Sequence, residues 1–262
     1  MNVAILYICT GKYSVFFKDF YKSCEDFFLK NYAKHYFVWT DQLNLTHGLD
    51  NVTEIHKECA GFPFDSLFRF ETFLEAENQL KCFDYIYFFN ANALLLSEVD
   101  SEILPDETGL AMGIWPGKRE RQHPMFYPYE RNKHSHAYVP PYGDDYTYFM
   151  GGLNGGTASA YLEMIRALAQ NIRDDFNRGI IAKVHDESHI NAYLRYHKCK
   201  KLGREYCLPE EWITPQDSPK IIFRDKVALD AYFSKGRKFT LWARLAKSFA
   251  IVRDALRWYV KF

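Results

Sequence analysis

No run in this 262-residue chain is apolar for the ~20 residues that a bilayer-spanning helix needs, so no integral membrane helix is expected. The start lacks the basic-then-apolar pattern of a secretory signal. The six cysteines (Cys9, Cys24, Cys59, Cys82, Cys199, Cys207) include no CxxC pair and no metal spacing. They fit reduced thiols in a cytoplasm, where the sequons Asn44-Leu45-Thr46 and Asn51-Val52-Thr53 carry no consequence. Net charge is missing too: 33 basic side chains balance 33 acidic ones, which argues against whole-chain nucleic-acid binding. There is no P-loop, GxGxxG turn or GxSxG elbow, which removes the common phosphate cradles and the serine-hydrolase nucleophile. Nothing repeats internally, and no linker divides the chain.

What is present is aromatic. The 22 Phe, 19 Tyr and 5 Trp suit a large core, and they also suit pockets that stack on bases and sugar faces. The length fits one α/β domain. Residues 3–8 read as a buried strand, followed by the turn Cys9-Thr10-Gly11-Lys12-Tyr13. Phe16, Phe17, Phe20, Cys24, Phe27 and Phe28 then recur at helical spacing, with Ser14 as the expected N-cap. This strand–loop–helix start suits a nucleotide-binding half-sheet as well as it suits an ordinary β–α connection. His35–Thr40 and Val52–His56 are further strands, and residues 65–80 form a helix. Near the beginning of that helix, Arg69 serves either a phosphate or, more simply, a solvated surface.

The run Asp84-Tyr85-Ile86-Tyr87-Phe88-Phe89 stops abruptly at Asn90-Ala91-Asn92. A buried strand ending in short polar residues delivers that end into a site, because ligands of open α/β sheets gather at the carboxyl ends of strands. After another short apolar run (Gly109–Trp115), residues 116–147 form a long polar, Pro-rich connection bearing Tyr127, Tyr129, Tyr138 and Tyr142. Its aromatic content favours an ordered, substrate-facing loop. Next comes Met150-Gly151-Gly152-Leu153-Asn154-Gly155-Gly156, whose paired glycines either let a ligand approach the backbone or make turns. An amphipathic helix follows, on Tyr161, Met164, Ile165, Leu168 and Ile172.

His185-Asp186-Glu187-Ser188-His189-Ile190-Asn191 heads a further helix. There Glu187 and Asn191 share one face, and His185 and His189 another. So many polar groups at the head of an apolar helix suggest a site, although acidic residues at a helix N-terminus also complement its dipole. The segment lies close to the zinc-protease HExxH, but Asp186 stands where the catalytic Glu is needed and no third ligand follows. A carboxylate such as Glu187, among hydrogen-bonding neighbours, suits the stabilisation of positive charge at a sugar carbon. From residue 235 onward, eight Lys or Arg face one acid, Asp254, leaving 25 basic against 32 acidic groups in residues 1–234. Leu241, Leu245, Phe249, Val252 and Leu256 make an apolar stripe in this tail. With Trp242, Trp258 and Tyr259, residues 239–262 fit either a peripheral contact with the inner membrane or a helix packed on the body. The division expected is a catalytic domain over 1–234 and a basic amphipathic segment over 235–262.

Several pieces, taken in order, resemble one family. They are Tyr36-Phe37-Val38-Trp39-Thr40-Asp41-Gln42; Tyr129-Glu130-Arg131 with Ala137-Tyr138-Val139-Pro140; the Met150–Gly156 stretch; and His185-Asp186-Glu187-Ser188-His189 with Asn191. Together they resemble the family 6 retaining glycosyltransferases, which include the histo-blood-group A and B transferases and α-1,3-galactosyltransferase. Without an anchor, the chain is similar to the family's bacterial members. The resemblance implies a GT-A fold: a Rossmann-like nucleotide half and an acceptor half around one mixed sheet. It implies that Ile8, Cys9, Thr10 and Tyr13 surround the uracil and ribose of a UDP-sugar. It turns Arg69 towards the donor sugar, makes Glu187 the catalytic carboxylate, and puts His185 and Asp186 on donor and acceptor sugars. Trp115 is implied on the acceptor side, and Lys226 near the diphosphate. Met150, Gly151 and Gly152 would line the donor sugar. Gly152 leaves room for an N-acetyl group and favours UDP-GalNAc, whereas Met150 occurs on the galactose-specific side of the comparison. The implied acceptor is Fucα1-2Gal, as in H antigen.

The departure from the family is Asn90-Ala91-Asn92. Animal members carry Asp-x-Asp there, holding manganese against the diphosphate. Two carboxamides should hold a hard dication far more weakly. The expectation is therefore no metal cofactor, with Lys226 and tail cations such as Arg237 or Lys238 balancing the phosphate charge. The alternatives are an α-1,3-galactosyltransferase using UDP-Gal and a non-catalytic sugar-nucleotide or glycan-binding relative.

Overall fold

The computed structural model describes residues 1–117, 123–143, 146–234 and 241–259, without side-chain detail for 241–248. In chain order its strands and α-helices are β1 (Asn2–Ile8), α1 (Phe17–Phe27), β2 (Ala33–Thr40), β3 (Val52–His56), α2 (Phe64–Leu67), α3 (Arg69–Leu74), α4 (Glu77–Leu80), β4 (Tyr85–Phe89), β5 (Ala93–Leu95) and β6 (Leu110–Ile114). They continue as β7 (Phe149–Thr157), α5 (Ala158–Asn177), α6 (His185–Tyr193), β8 (Lys200–Leu202), β9 (Leu208–Pro209), β10 (Ile221–Phe223), α7 (Lys226–Leu229) and α8 (Leu241–Tyr259).

Seven strands form one mixed sheet in the order β3-β2-β1-β4-β7-β6-β8. The first four are parallel, β7 runs antiparallel to both β4 and β6, and β8 is parallel to β6. Period-2 alternation divides the side chains between two apolar layers. Val3, Ile5, Tyr7, Tyr36, Val38, Tyr87 and Phe89 pack in one layer with α1, while Ala4, Leu6, Phe37, Trp39, Ile86 and Phe88 pack in the other with α3 and α5. Each large apolar side chain so buried contributes on the order of 2 kcal/mol of transfer free energy. A small sheet, β5-β10-β9, lies beyond the end of β4. Strand order reverses between β2-β1 and β1-β4, so the crevice outside the carboxyl ends of β1 and β4 is where a ligand belongs.

Three local expectations need correction. Ser14 caps no helix: a 3₁₀ turn over Gly11–Phe16 precedes α1, and Ser14 Oγ donates to Gly11 C=O inside it. The helix expected over 65–80 is broken into α2, α3 and α4, with buried Arg69 as the first residue of α3. The glycine stretch is neither loop nor turn but the fully extended β7. Its second glycine pair is there for packing. A Cβ on Gly155 would lie 2.4 Å from the Tyr87 ring, and one on Gly156 would lie 2.4 Å from Gly109 C=O.

The long connection is ordered where it is described. Tyr129 is fully buried, and its hydroxyl donates to Thr147 C=O. Glu130 accepts the N–H groups of Arg131, Asn132 and Lys183. The tail helix α8 packs on this loop through Trp258, whose indole N–H donates to Val139 C=O at 2.7 Å. No described helix is long and apolar enough to cross a membrane.

Candidate active site

A cavity of about 290 Å³ opens at the β1/β4 crevice. Ile8, Thr10 and Tyr13 line it from the end of β1, Arg69 from α3, Asn90 and Asn92 from the end of β4, and Lys226 from α7. Seven of the residues expected around a donor thus meet in one space. Cys9 does not line it: it is fully buried in the core, its N–H donates to Trp39 C=O, and its C=O accepts from Thr40 Oγ1. Alternation explains the correction, since Cys9 follows the inward-facing side of β1 while its neighbours Ile8 and Thr10 face the cavity. Sequence reasoning missed Phe62, Asp65, Ser66 and Tyr232, which also line the wall. Asp65 is a loop organiser, accepting the N–H groups of Ala60 and Gly61 and the ammonium of Lys57.

Met150, Gly151, Gly152, His185, Asp186 and Glu187 do not line this cavity; the polar head of α6 meets β7 behind its wall, joined to it through Arg69 and Phe62. Asn191 clamps the strand: its Oδ1 accepts from Phe149 N–H at 2.9 Å, and its Nδ2 donates to Phe149 C=O and Glu187 C=O, both at 2.8 Å. With the helix so fixed, Glu187 Oε2 accepts the N–H of Gly151 at 2.7 Å, and Oε1 accepts the hydroxyl of Tyr148 at 2.6 Å. Gly151 is needed here because a Cβ would lie 3.1 Å from Asp186 Oδ2 and 3.4 Å from Glu187 Cβ. Arg69 reaches across to the same point. Its Nη1 donates to Gly151 C=O at 2.9 Å, and its Nε lies 3.2 Å from Asp186 Oδ2. That close pair lacks hydrogen-bond geometry, so Arg69 Nε and Asp186 Oδ2 both remain unsatisfied although buried. Unsatisfied buried polar atoms are costly, and at the edge of a cavity they suit substrate hydroxyls.

Burial pushes Asp186 up to about 6 against the pull of Arg69. Burial likewise pushes Glu187 up to about 7, opposed first by the Tyr148 hydroxyl and then by the Gly151 N–H. Two buried carboxyl groups raised towards neutral pH behind the wall of a cavity make this a candidate catalytic site. His185 joins them with a left-handed backbone (φ 52°) and its ring edge-to-face with Phe62 at 4.9 Å. Strain of this kind at a non-glycine residue is typical of functional sites. His189 has a different fate: it is buried 3.7 Å from Asp175, and desolvation lowers it to about 4. A neutral, inward His189 does not make a zinc pair with His185, and no group of three metal-capable side chains occurs among the described residues.

Met150 and Gly152 are in direct juxtaposition. A Cβ on Gly152 would meet Met150 Cε at 2.8 Å and the Phe223 ring at 3.0 Å, so the methionine tip fills the room that the glycine leaves. Trp115, at the end of β6, packs edge-to-face on Trp212 (5.1 Å), and its N–H donates to Tyr148 C=O. Tyr148, which holds Glu187, is not singled out by the sequence: its position immediately before the glycine stretch does not reveal a contact 39 residues away.

The strand end tests the fit of a divalent metal. Asn92 Nδ2 donates to Arg224 C=O at 2.7 Å, a bond that a carboxylate could not make, and Asn90 N–H donates to Gly152 C=O. Neutral carboxamides, one of them committed as a donor, do not fit a hard dication. Lys226 instead brings a cation to the cavity, 5.3 Å over the Tyr13 ring. Arg237 and Lys238 lie outside the described residues.

A parallel half-sheet joined through antiparallel β7 to a second half, with buried carboxyl groups at the junction, has the layout of a GT-A fold. The model of glycosyltransferase family 6 matches residues 1–228. The O-antigen biosynthesis glycosyltransferase WbnI of Escherichia coli is 37% identical over 229 residues, covering 86% of this chain and 95% of the relative. Histo-blood group ABO system transferase 1 of Rattus norvegicus is 32% identical over 216 residues, 78% of this chain and 60% of its own. Globoside alpha-1,3-N-acetylgalactosaminyltransferase 1 of Homo sapiens is 27% identical over 217 residues, 79% and 60% respectively. The chain belongs to glycosyltransferase family 6.

Proposed function

We propose that this glycosyltransferase is a retaining α-1,3-N-acetylgalactosaminyltransferase that moves GalNAc from UDP-GalNAc to a Fucα1-2Gal acceptor without a divalent metal. The observation that carries this is the Arg69–Asp186–Glu187 network, with its unsatisfied buried Arg69 Nε and Asp186 Oδ2 beside the crevice cavity. In the proposed reaction the bond from the anomeric carbon to the UDP oxygen breaks, and positive charge develops on the sugar ring. Glu187, ionised, adds to that carbon or shields it, and the acceptor hydroxyl then attacks with retention. The hydroxyl proton leaves with the departing diphosphate. Arg69 and Asp186 take donor-sugar hydroxyls, which supplies the partners that their buried polar atoms need. Uracil and ribose lie against Ile8, Thr10 and Tyr13.

Metal independence is supported by the donor set at positions 90 and 92, and Lys226 is assigned the charge work at the diphosphate. For the donor, the space beside Gly152 is bordered by the flexible methionine tip and by the Phe223 ring, and the tip can yield to an N-acetyl group. One relative is itself named an α-1,3-N-acetylgalactosaminyltransferase. The same contact favours a second reading, because a Met150 that stays in place leaves room for galactose only. The partners are thus the UDP-sugar and an oligosaccharide, in a cytoplasmic setting. Incubation with UDP-GalNAc or UDP-Gal and the fucosylated acceptor, with the product linkage read by NMR, tests the assignment. An α-linked GalNAc product made faster than the galactose product supports it. Binding of donor and acceptor with no product from either donor refutes it in favour of a non-catalytic relative.

A further inference from the structure

The tail helix α8 divides its described surface sharply. Ala255 and Trp258 are buried against the body, and Trp258 is fixed by Val139 C=O and by the Arg131 guanidinium 4.8 Å from its ring. Tyr142 adds a second anchor, donating its hydroxyl to Tyr259 C=O at 2.8 Å. On the opposite side, Phe249, Val252 and Leu256 follow one another at helical spacing, and they are 75%, 48% and 62% exposed. Packing on the body therefore uses a different face from the apolar stripe legible in the sequence, and that stripe is left outward.

Charge is segregated in the same way. Arg253 and Arg257 flank the ridge and are exposed, whereas Asp254, the only acid in residues 235–262, is shared between Lys183 of the body at 3.7 Å and Arg253 at 3.1 Å. Residues 1–234 carry a net excess of acids and residues 235–262 a net excess of bases, so the tail is the part of the chain whose net charge favours an anionic surface. A convex apolar ridge edged by arginines, on a helix already anchored through its other face, has the pattern of an interfacial helix.

We propose that α8 seats the enzyme on an anionic bilayer surface, with Phe249, Val252 and Leu256 entering the headgroup–acyl boundary and Arg253 and Arg257 meeting lipid phosphates. The inference goes beyond the donor and acceptor assignments and stands or falls separately from them. The same helix lies one aromatic layer from the site, through Trp258–Tyr129 (6.2 Å), Tyr129–Tyr148 (5.3 Å) and the Tyr148–Glu187 hydrogen bond.

The full chain is floated with vesicles of phosphatidylcholine alone, or of phosphatidylcholine mixed with phosphatidylglycerol. Binding to the anionic vesicles should be about tenfold or more above the neutral ones and should fall in high salt. Phe249→Asp with Leu256→Asp should abolish it, while UDP affinity and the thermal transition stay as in the unaltered chain. Arg253→Gln with Arg257→Gln should reduce it and weaken its salt dependence. Failure of the unaltered chain to float with either vesicle overturns the proposal, as does equal flotation of the Asp variant. A dimer seen by sedimentation that the same Asp substitutions dissolve, without vesicle binding, assigns the ridge to a second copy and also overturns it.

Discussion

The hydrogen bonds that hold Glu187 come from two neutral donors. Its Oε1 is held by Tyr148 and its Oε2 by the N–H of Gly151, where a Cβ would crowd Asp186 Oδ2 at 3.1 Å. Glu187→Gln should lower kcat at least about 100-fold, since it removes the charge facing the developing cation. UDP affinity by calorimetry should remain unchanged. Because burial pushes Glu187 up to about 7, activity should rise with pH through that region as the carboxylate ionises. Tyr148→Phe deletes a donor that favours the ionised form, so the acid limb should move to higher pH by about one unit. A limb that stays in place or moves to lower pH removes Tyr148 from this positioning role. Polar clusters such as 185–189 were legible because so many hydrogen-bonding side chains head an apolar helix. Tyr148 was not, because in a sequence this rich in tyrosine its role is defined only by a carboxylate 39 residues away.

At the scale of elements, β7 and α6 act as one unit, joined by the Asn191 clamp and by Arg69 on Gly151 C=O. The glycines of β7 divide their work along it: Gly151 serves the site, whereas Gly155 permits the close approach of β4. Gly155→Ala should cost about 1–3 kcal/mol in chemical denaturation, because its Cβ would collide with both the Tyr87 ring and Ile86 C=O. An alanine variant of full stability would contradict that packing. The sequence showed glycine pairs but not which ones face a strand, since a strand reading needs side chains whose alternation can be followed. The parallel half was readable for the opposite reason: its strands carry alternating large side chains for two buried faces. The helix over 65–80 was placed correctly but not broken, because the break accommodates Arg69 reaching residues that come together only in three dimensions. On α8, Trp258→Ala should cost about 3–5 kcal/mol if the helix melts with the body, checked by thermal unfolding. A change well under 1 kcal/mol would mean that α8 and the body unfold independently.

For the molecule as a whole, fold and site are linked by the switch between β1 and β4, where both strand ends open into one cavity. The end of β4 at that opening carries two carboxamides, and one of them is tied to Arg224 C=O between β10 and Lys226. In the proposed reaction, charge compensation for a leaving diphosphate falls to this chain's own cations, Lys226 among them. Lys226→Ala should lower kcat/KM for the donor by about 10–100-fold with little loss of stability, as a charge-assisted phosphate contact is removed. Unaltered donor kinetics would move that duty elsewhere. The central claim is transfer without a metal, and the most direct measurement is the initial rate from UDP-GalNAc to the fucosylated acceptor after extensive chelation. An unchanged rate in excess EDTA, not raised by added manganese, is expected. Loss of activity on chelation with recovery on manganese would contradict the account.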